Sequence, residues 1–183
     1  MEHVHDILQP YLRLLARGGL SPLLQVRQSE IPLAALLAGY SAADFASALC
    51  PSVCPWALAD LLGIKVEQRG WPTNAPAGLS VRSEYIPSPP TAIIYIGPLE
   101  KLADLIFYDH RELRKVDLPA VHLAHELLHH LAAYPPASLA QRLRSLPGRY
   151  EDTAAHAFAH GFLDLPFFPA ELDLIWQRAQ PTA

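Results

Sequence analysis

The sequence predicts an α+β protein, with helices packed on a small mixed sheet, and three observations predict it. A segment capped by Asp117, with Pro119 in its first turn, continues in a helical pattern to a stop at Pro135-Pro136. The run from Thr91 to Ile96 places Ile93, Ile94, Tyr95 and Ile96 in succession and is the strongest strand pattern in the chain. The first 50 residues carry apolar side chains at helical spacing.

Taken in order, Ile7, Leu8, Tyr11, Leu12, Leu14 and Leu15 mark a helix over 7–17 that ends at Gly18-Gly19. Ser41-Ala42-Ala43-Asp44 resembles a capping box and predicts the start of another short helix. Pro55 in a first turn and Gly63 beyond the last one bracket a helix around Trp56 to Leu62. Ile64, Val66 and Gln68 then alternate as in an edge strand, and Leu79 to Arg82 is expected to pair with the strand at Thr91. That strand follows Pro87 to Pro90 and is closed by Gly97-Pro98. The stretch from Leu102 to Tyr108 fits two patterns: Leu102, Leu105 and Ile106 suit a helix, whereas Ile106, Phe107 and Tyr108 suit a strand. Pro147-Gly148 separates the Asp117 helix from a further one that begins near Glu151. This reading divides the chain into an N-terminal helical segment, 1–52, and a second unit, 53–183.

With 183 residues, 51% apolar and 17% charged, the chain is long enough for a substantial core and too apolar for a largely disordered protein. Its formal net charge of -4 supplies no field that would draw in phosphate backbones, so direct nucleic-acid binding is not expected. Uncharged stretches are shorter than a bilayer span, and the start Met1-Glu2-His3-Val4-His5-Asp6 lacks the basic and apolar regions of a secretion signal. A cytoplasmic location with no membrane contact is the expectation. Cys50 and Cys54 are too few for a disulfide framework and have no nearby Cys/His pair of zinc-ribbon spacing, so they read as buried or incidental thiols. The 18 prolines, against nine glycines, punctuate the chain into short elements without marking a repeat.

The Asp117 helix contains His125-Glu126-Leu127-Leu128-His129. At about 100° per residue, positions 125 and 129 fall about 40° apart on one helix face, and both imidazoles can reach one zinc ion. Glu126 lies about 100° around from His125, where its carboxylate can approach a water held at the metal without itself being a ligand. With nine histidines and nine glutamates in 183 residues, composition alone produces such a match in about 2% of chains.

Two histidines leave a tetrahedral zinc short of a protein ligand. Metzincin spacing does not supply it, because Ala132 and Pro135 stand where its later glycine and histidine would fall. A carboxylate on the later helix remains, within Glu151-Asp152-Thr153-Ala154-Ala155-His156-Ala157-Phe158-Ala159-His160.

On these stretches the chain resembles the ImmA/IrrE-type metallopeptidases, whose pattern is a strand pair, then AHELGH, then ExxANxFA and an LLMP-like end. The matching residues are Ala124 to His129, Asp152 to Ala159, and Phe162-Leu163-Asp164-Leu165-Pro166, with weaker likeness at Leu61 to Val66 and at Gly78. The resemblance spans about 55–168 and implies a zincin-like core: an active-site helix and a second metal helix on a small sheet, with N-terminal helices added. Leu128 replaces the family's glycine. The phase of Ala155, Phe158 and Ala159 puts Asp152 where the family has its zinc-binding glutamate and His156 where it has asparagine; a slip of one residue makes Glu151 the ligand instead.

The chemistry implied is peptide hydrolysis. One Zn2+ per chain, held by His125, His129 and Asp152 or Glu151, would activate water and polarise the peptide carbonyl, with Glu126 as general acid/base. Tyr150, His122 and His156 are candidate oxyanion partners, and His156 is also a candidate outer partner of the ligands. His130 is expected to point away from the site into solvent, and His160 to be structural. The resemblance further implies a protein substrate of the helix-turn-helix repressor kind, in stress response or mobile-element control, with no direct contact to DNA. The competing expectation is a regulatory or toxin-antitoxin binding module that keeps the fold without proteolysis.

Overall fold

A computed structural model of the chain describes residues 33–73 and 81–179. The helix expected over 7–17, Gly78 and the first half of the 79–82 strand lie outside the described residues. Among those described are seven α-helices and one three-stranded sheet: α1 (Leu33–Leu49), α2 (Pro55–Leu61), β1 (Lys65–Arg69), β2 (Ser83–Pro87), β3 (Pro90–Tyr95), α3 (Ile96–Asp109), α4 (Leu118–Ala133), α5 (Ala140–Arg144), α6 (Glu151–Phe162) and α7 (Ala170–Arg178). The α+β class therefore holds. No helix of the described residues is long and apolar enough to cross a membrane.

The sheet runs in the order β1-β3-β2. β3 is central because it can be buried along its length, as Ala92, Ile93 and Ile94 are. β1 pairs with it in parallel, Lys65 opposite Thr91, and β2 pairs antiparallel, Ser83 opposite Ile94. The partner strand is thus displaced from 79–82 to Ser83–Pro87. Pro87 to Pro90 forms the tight return between β2 and β3 rather than a lead-in to a single strand. Gly97-Pro98 does close β3, but the chain passes at once into α3, which settles 102–108 as helix: Leu102 and Ile106, one turn apart, are buried, while Phe107 and Tyr108 face outward.

Two helix ends show how local chemistry sets the chain's path. At the end of α2, Gly63 adopts a φ of 69°, and the Ile64 and Gly63 amides donate to the Ala59 and Asp60 carbonyls, the bond pair of a Schellman stop. α6 ends similarly, with Asp164 at a φ of 48° and the Leu165 amide donating to His160. Asp117 caps α4 as expected, its side chain accepting from the Ala120 amide at 3.1 Å.

α1 is one unbroken helix, so Ser41 opens nothing. It lies buried in mid-helix, where packing overrides its capping tendency. α1 and α6 meet over a seam of small residues. A Cβ on Gly39 would strike the Ala154 carbonyl and come within 2.7 Å of the Ala157 methyl, and one on Gly161 would come within 2.8 Å of the Tyr40 ring. Close approach of two backbones is what glycine permits here. α1 shares one hydrophobic cluster with α4, α6 and α7, through Ala35, Ala42, Leu127, Phe158 and Trp176. Leu128, between Glu126 and His129 on α4, is fully buried in that cluster.

Candidate metal centre

The site begins with a match of periods. Alternate residues of β2 lie 6.6 Å apart or slightly less, and residues four apart on a helix rise about 6 Å. β2 therefore ties onto α4 in three successive steps. Ser83 Oγ donates to Glu126 Oε1 at 2.6 Å, Tyr85 Oη shares a hydrogen bond with His130 Nδ1 at 2.8 Å, and Tyr134 Oη donates to the Pro87 carbonyl at 3.0 Å. This corrects the expectation for His130: it is buried, and burial pushes its pKa down, so a neutral ring clamps the strand to the helix instead of facing solvent. Ser83 was not legible as a site residue, because the sequence pattern placed the strand four residues too early.

His125 and His129 stand one turn apart, ring centroids 5.0 Å from each other. The first turn of α6 faces them. Asp152 Oδ1 lies 3.7 Å from His125 Nε2 and 3.6 Å from His129 Nε2, and the three ligating atoms fall within 4.8 Å of one another. Glu151 takes a different position: its Oε1 lies 2.8 Å from His129 Nδ1, on the opposite side of that ring. The His125 ring beside Asp152 holds that carboxyl down to about 2, so it is ionised across the physiological range. Its side chain is 80% exposed against 15% for His125, which leaves the carboxylate accessible from solvent.

The donor set suits zinc. Ligands bound at 2.0–2.1 Å in tetrahedral geometry sit about 3.4 Å apart; the two Asp152 separations exceed this by a few tenths of an ångström, and the widest separation of the set, at most 4.8 Å, closes to it by rotation of the two imidazoles. The hydrogen bond at His129 Nδ1 leaves Nε2 free to ligate, the arrangement that a carboxylate gives to metal-binding histidines.

Two cavities flank this cluster. A cleft of about 620 Å³ lies over α4 between β2 and the start of α6, with Glu126, His129, Tyr85 and Glu151 among its walls. Glu126 is buried, and it lines this cleft together with His125 and Asp152. A smaller cavity of about 310 Å³ is also lined by these three residues.

His122 and His156 line the smaller cavity, whereas Tyr150 lines neither and packs against the hydrophobic core. The His156 ring lies 4.8 Å from that of His125, inclined to it at 58°, and its Nε2 lies 3.4 Å from Asp173 Oδ2 on α7. Asp173 also pairs with Arg82, whose guanidinium bonds the Leu172 carbonyl as well; burial lowers Arg82 to about 10. Neither Arg82 nor Asp173 was legible in the sequence, since the contact joins positions 91 residues apart. His160 is structural: it is buried, and its Nδ1 meets Tyr40 Oη at 2.9 Å. Cys50 and Cys54 are free thiols. Compared with protein-family models, curated proteins and solved structures, the chain finds no match.

Proposed function

We propose that the chain is a zinc-dependent endopeptidase with a zincin-like core. The observation that carries this reading is the convergence of His125, His129 and Asp152 within 4.8 Å, beside Glu126 in the wall of an open cleft. Zinc bound there supplies a Lewis acid that polarises a peptide carbonyl and acidifies water. In this reading Asp152 is the third ligand, and Glu151 orients His129 through Nδ1.

Glu126 removes the proton of the attacking water and delivers it to the leaving amine. Ser83, donating to Glu126 Oε1, fixes the carboxylate and leaves its second oxygen to the reaction. The wide cleft accommodates an extended chain, and β2, as an edge strand, offers it backbone hydrogen bonds. A regulatory protein of the helix-turn-helix repressor kind is the substrate we propose, on the likeness to ImmA/IrrE-type peptidases.

A second reading, a zinc-holding regulatory module without proteolysis, draws on the exposure of Asp152 and on the serine already bonded to Glu126. Glu126→Gln separates the two. The chain should carry about one zinc with or without this substitution, and peptide cleavage should fall by 10²–10⁴. Cleavage retained in Glu126→Gln, or no zinc in the unmodified chain, would remove the peptidase reading.

A further inference from the structure

The 310 Å³ cavity has room for about ten waters, more than one amino-acid side chain requires. Its lining is polar but contains one orphan. His122 lies on α4 one turn before His125, nine-tenths buried, and its Nε2 meets no hydrogen-bond partner among the described residues. A polar atom buried without a partner is destabilising, a cost that a ligand can relieve. The other polar groups of the cavity are engaged with each other, Arg82 and His156 both on Asp173.

The charges of the lining decide what can enter. Glu126, Asp152 and Asp173 oppose Arg82 alone, so the lining without a metal repels a carboxylate. A divalent ion on Asp152 brings the formal charge of the lining to zero, which leaves no net negative charge to attract an ammonium group. Arg82 is held by Asp173, which leaves no free cation for an anionic ligand. A hydroxyl carries its one donor and its lone pairs on a single oxygen, whereas an amide holds two donors and an acceptor on separate atoms and so can meet both the imidazole and the Arg82–Asp173 pair.

We propose that this cavity receives a side chain of the polypeptide substrate and selects an uncharged amide of the asparagine or glutamine kind. Its place beside a scissile bond rests on the peptidase reading, whereas its selection of an amide is tested without any cleavage. His122 and Asp173 are then specificity residues, the second acting by holding Arg82 and His156 in place.

The test titrates acetamide, methylammonium and acetate into the full chain with one equivalent of zinc, followed by the imidazole NMR signals of His122. Acetamide should shift those signals with a dissociation constant about tenfold below the other two. Val81→Phe, which enlarges a partly buried side chain of the lining and leaves the polar groups in place, should abolish the effect with zinc content unchanged. In parallel, cleavage of a mixed peptide library should enrich Asn or Gln at one position next to the scissile bond, and Val81→Phe should remove the enrichment while cleavage continues. Equal response to the three probes, or none to acetamide, overturns the proposal. An acetamide response without cleavage upholds the pocket and rejects the peptidase reading; cleavage without amide preference or acetamide response does the reverse.

Discussion

Individual side chains at the site divide by which ring atom they face. Asp152 approaches both Nε2 atoms, and Glu151 approaches His129 Nδ1. Asp152→Ala should therefore abolish zinc retention, and Glu151→Ala should weaken it by 10–100-fold without abolishing it. Elemental analysis after dialysis against graded chelator distinguishes them, and equal loss in both would refute the separate roles. His160 makes a different prediction. Burial lowers it to about 4 from an ordinary 6.5, so between those values the unfolded chain binds more protons than the folded one. Its contribution is complete above pH 6.5 and is lost as pH falls toward 4, about 2 kcal/mol by pH 5. Urea unfolding at pH 7 and pH 5 should show this loss and should show it reduced by that amount in His160→Phe, whatever the other histidines contribute.

Helix α6 connects the core to the chemistry. One face carries Asp152 and His156 toward α4, and the other packs Ala154, Ala157 and Phe158 against α1 around Gly39. A side chain at position 39 must push the two helices apart. Gly39→Val should cost about 1–3 kcal/mol by overpacking and should lower zinc affinity as well, because α6 supplies one ligand while α4 supplies the others. Thermal unfolding and a zinc titration measure both effects. A destabilised variant with unaltered zinc affinity would show that α6 reaches α4 independently of α1. The β2–α4 seam is the complementary case, in which period matching joins Ser83, Tyr85 and Pro87 to residues 126, 130 and 134.

Across the whole molecule, a metal bound only by the folded state adds stability by mass action. His125 and His129 come from α4 and Asp152 from α6, so unfolding disperses the ligands. At zinc a thousandfold above its dissociation constant the gain is about 4 kcal/mol, which corresponds to a rise in melting temperature on the order of 10 °C for a chain of this size. EDTA should lower the melting temperature of the native chain by that amount and leave His129→Ala unaffected. An unchanged melting temperature in the native chain would argue against a closed three-ligand site.

Sequence alone determined the elements whose signals are local. Asp117 with Pro119, the Pro55 and Gly63 brackets and the apolar run of β3 each state a boundary within a few residues, and the four-residue spacing of His125 and His129 puts both on one helix face whatever surrounds the helix. The carboxylate facing them was narrowed to two adjacent positions and no further, because adjacent residues of a helix differ by about 100° and only the docking of α6 on α4 fixes which one turns inward. Contacts that join distant segments left no pattern to read. Ser83 on Glu126, Tyr85 on His130 and Asp173 on Arg82 and His156 arise from strand register and from the return of α7. Ser41 misled for the same reason: its capping signal is local, while the packing of α1 that overrides it spans more than a hundred residues of chain. Tertiary structure decided these points because burial, not propensity, sets the environment of each polar side chain.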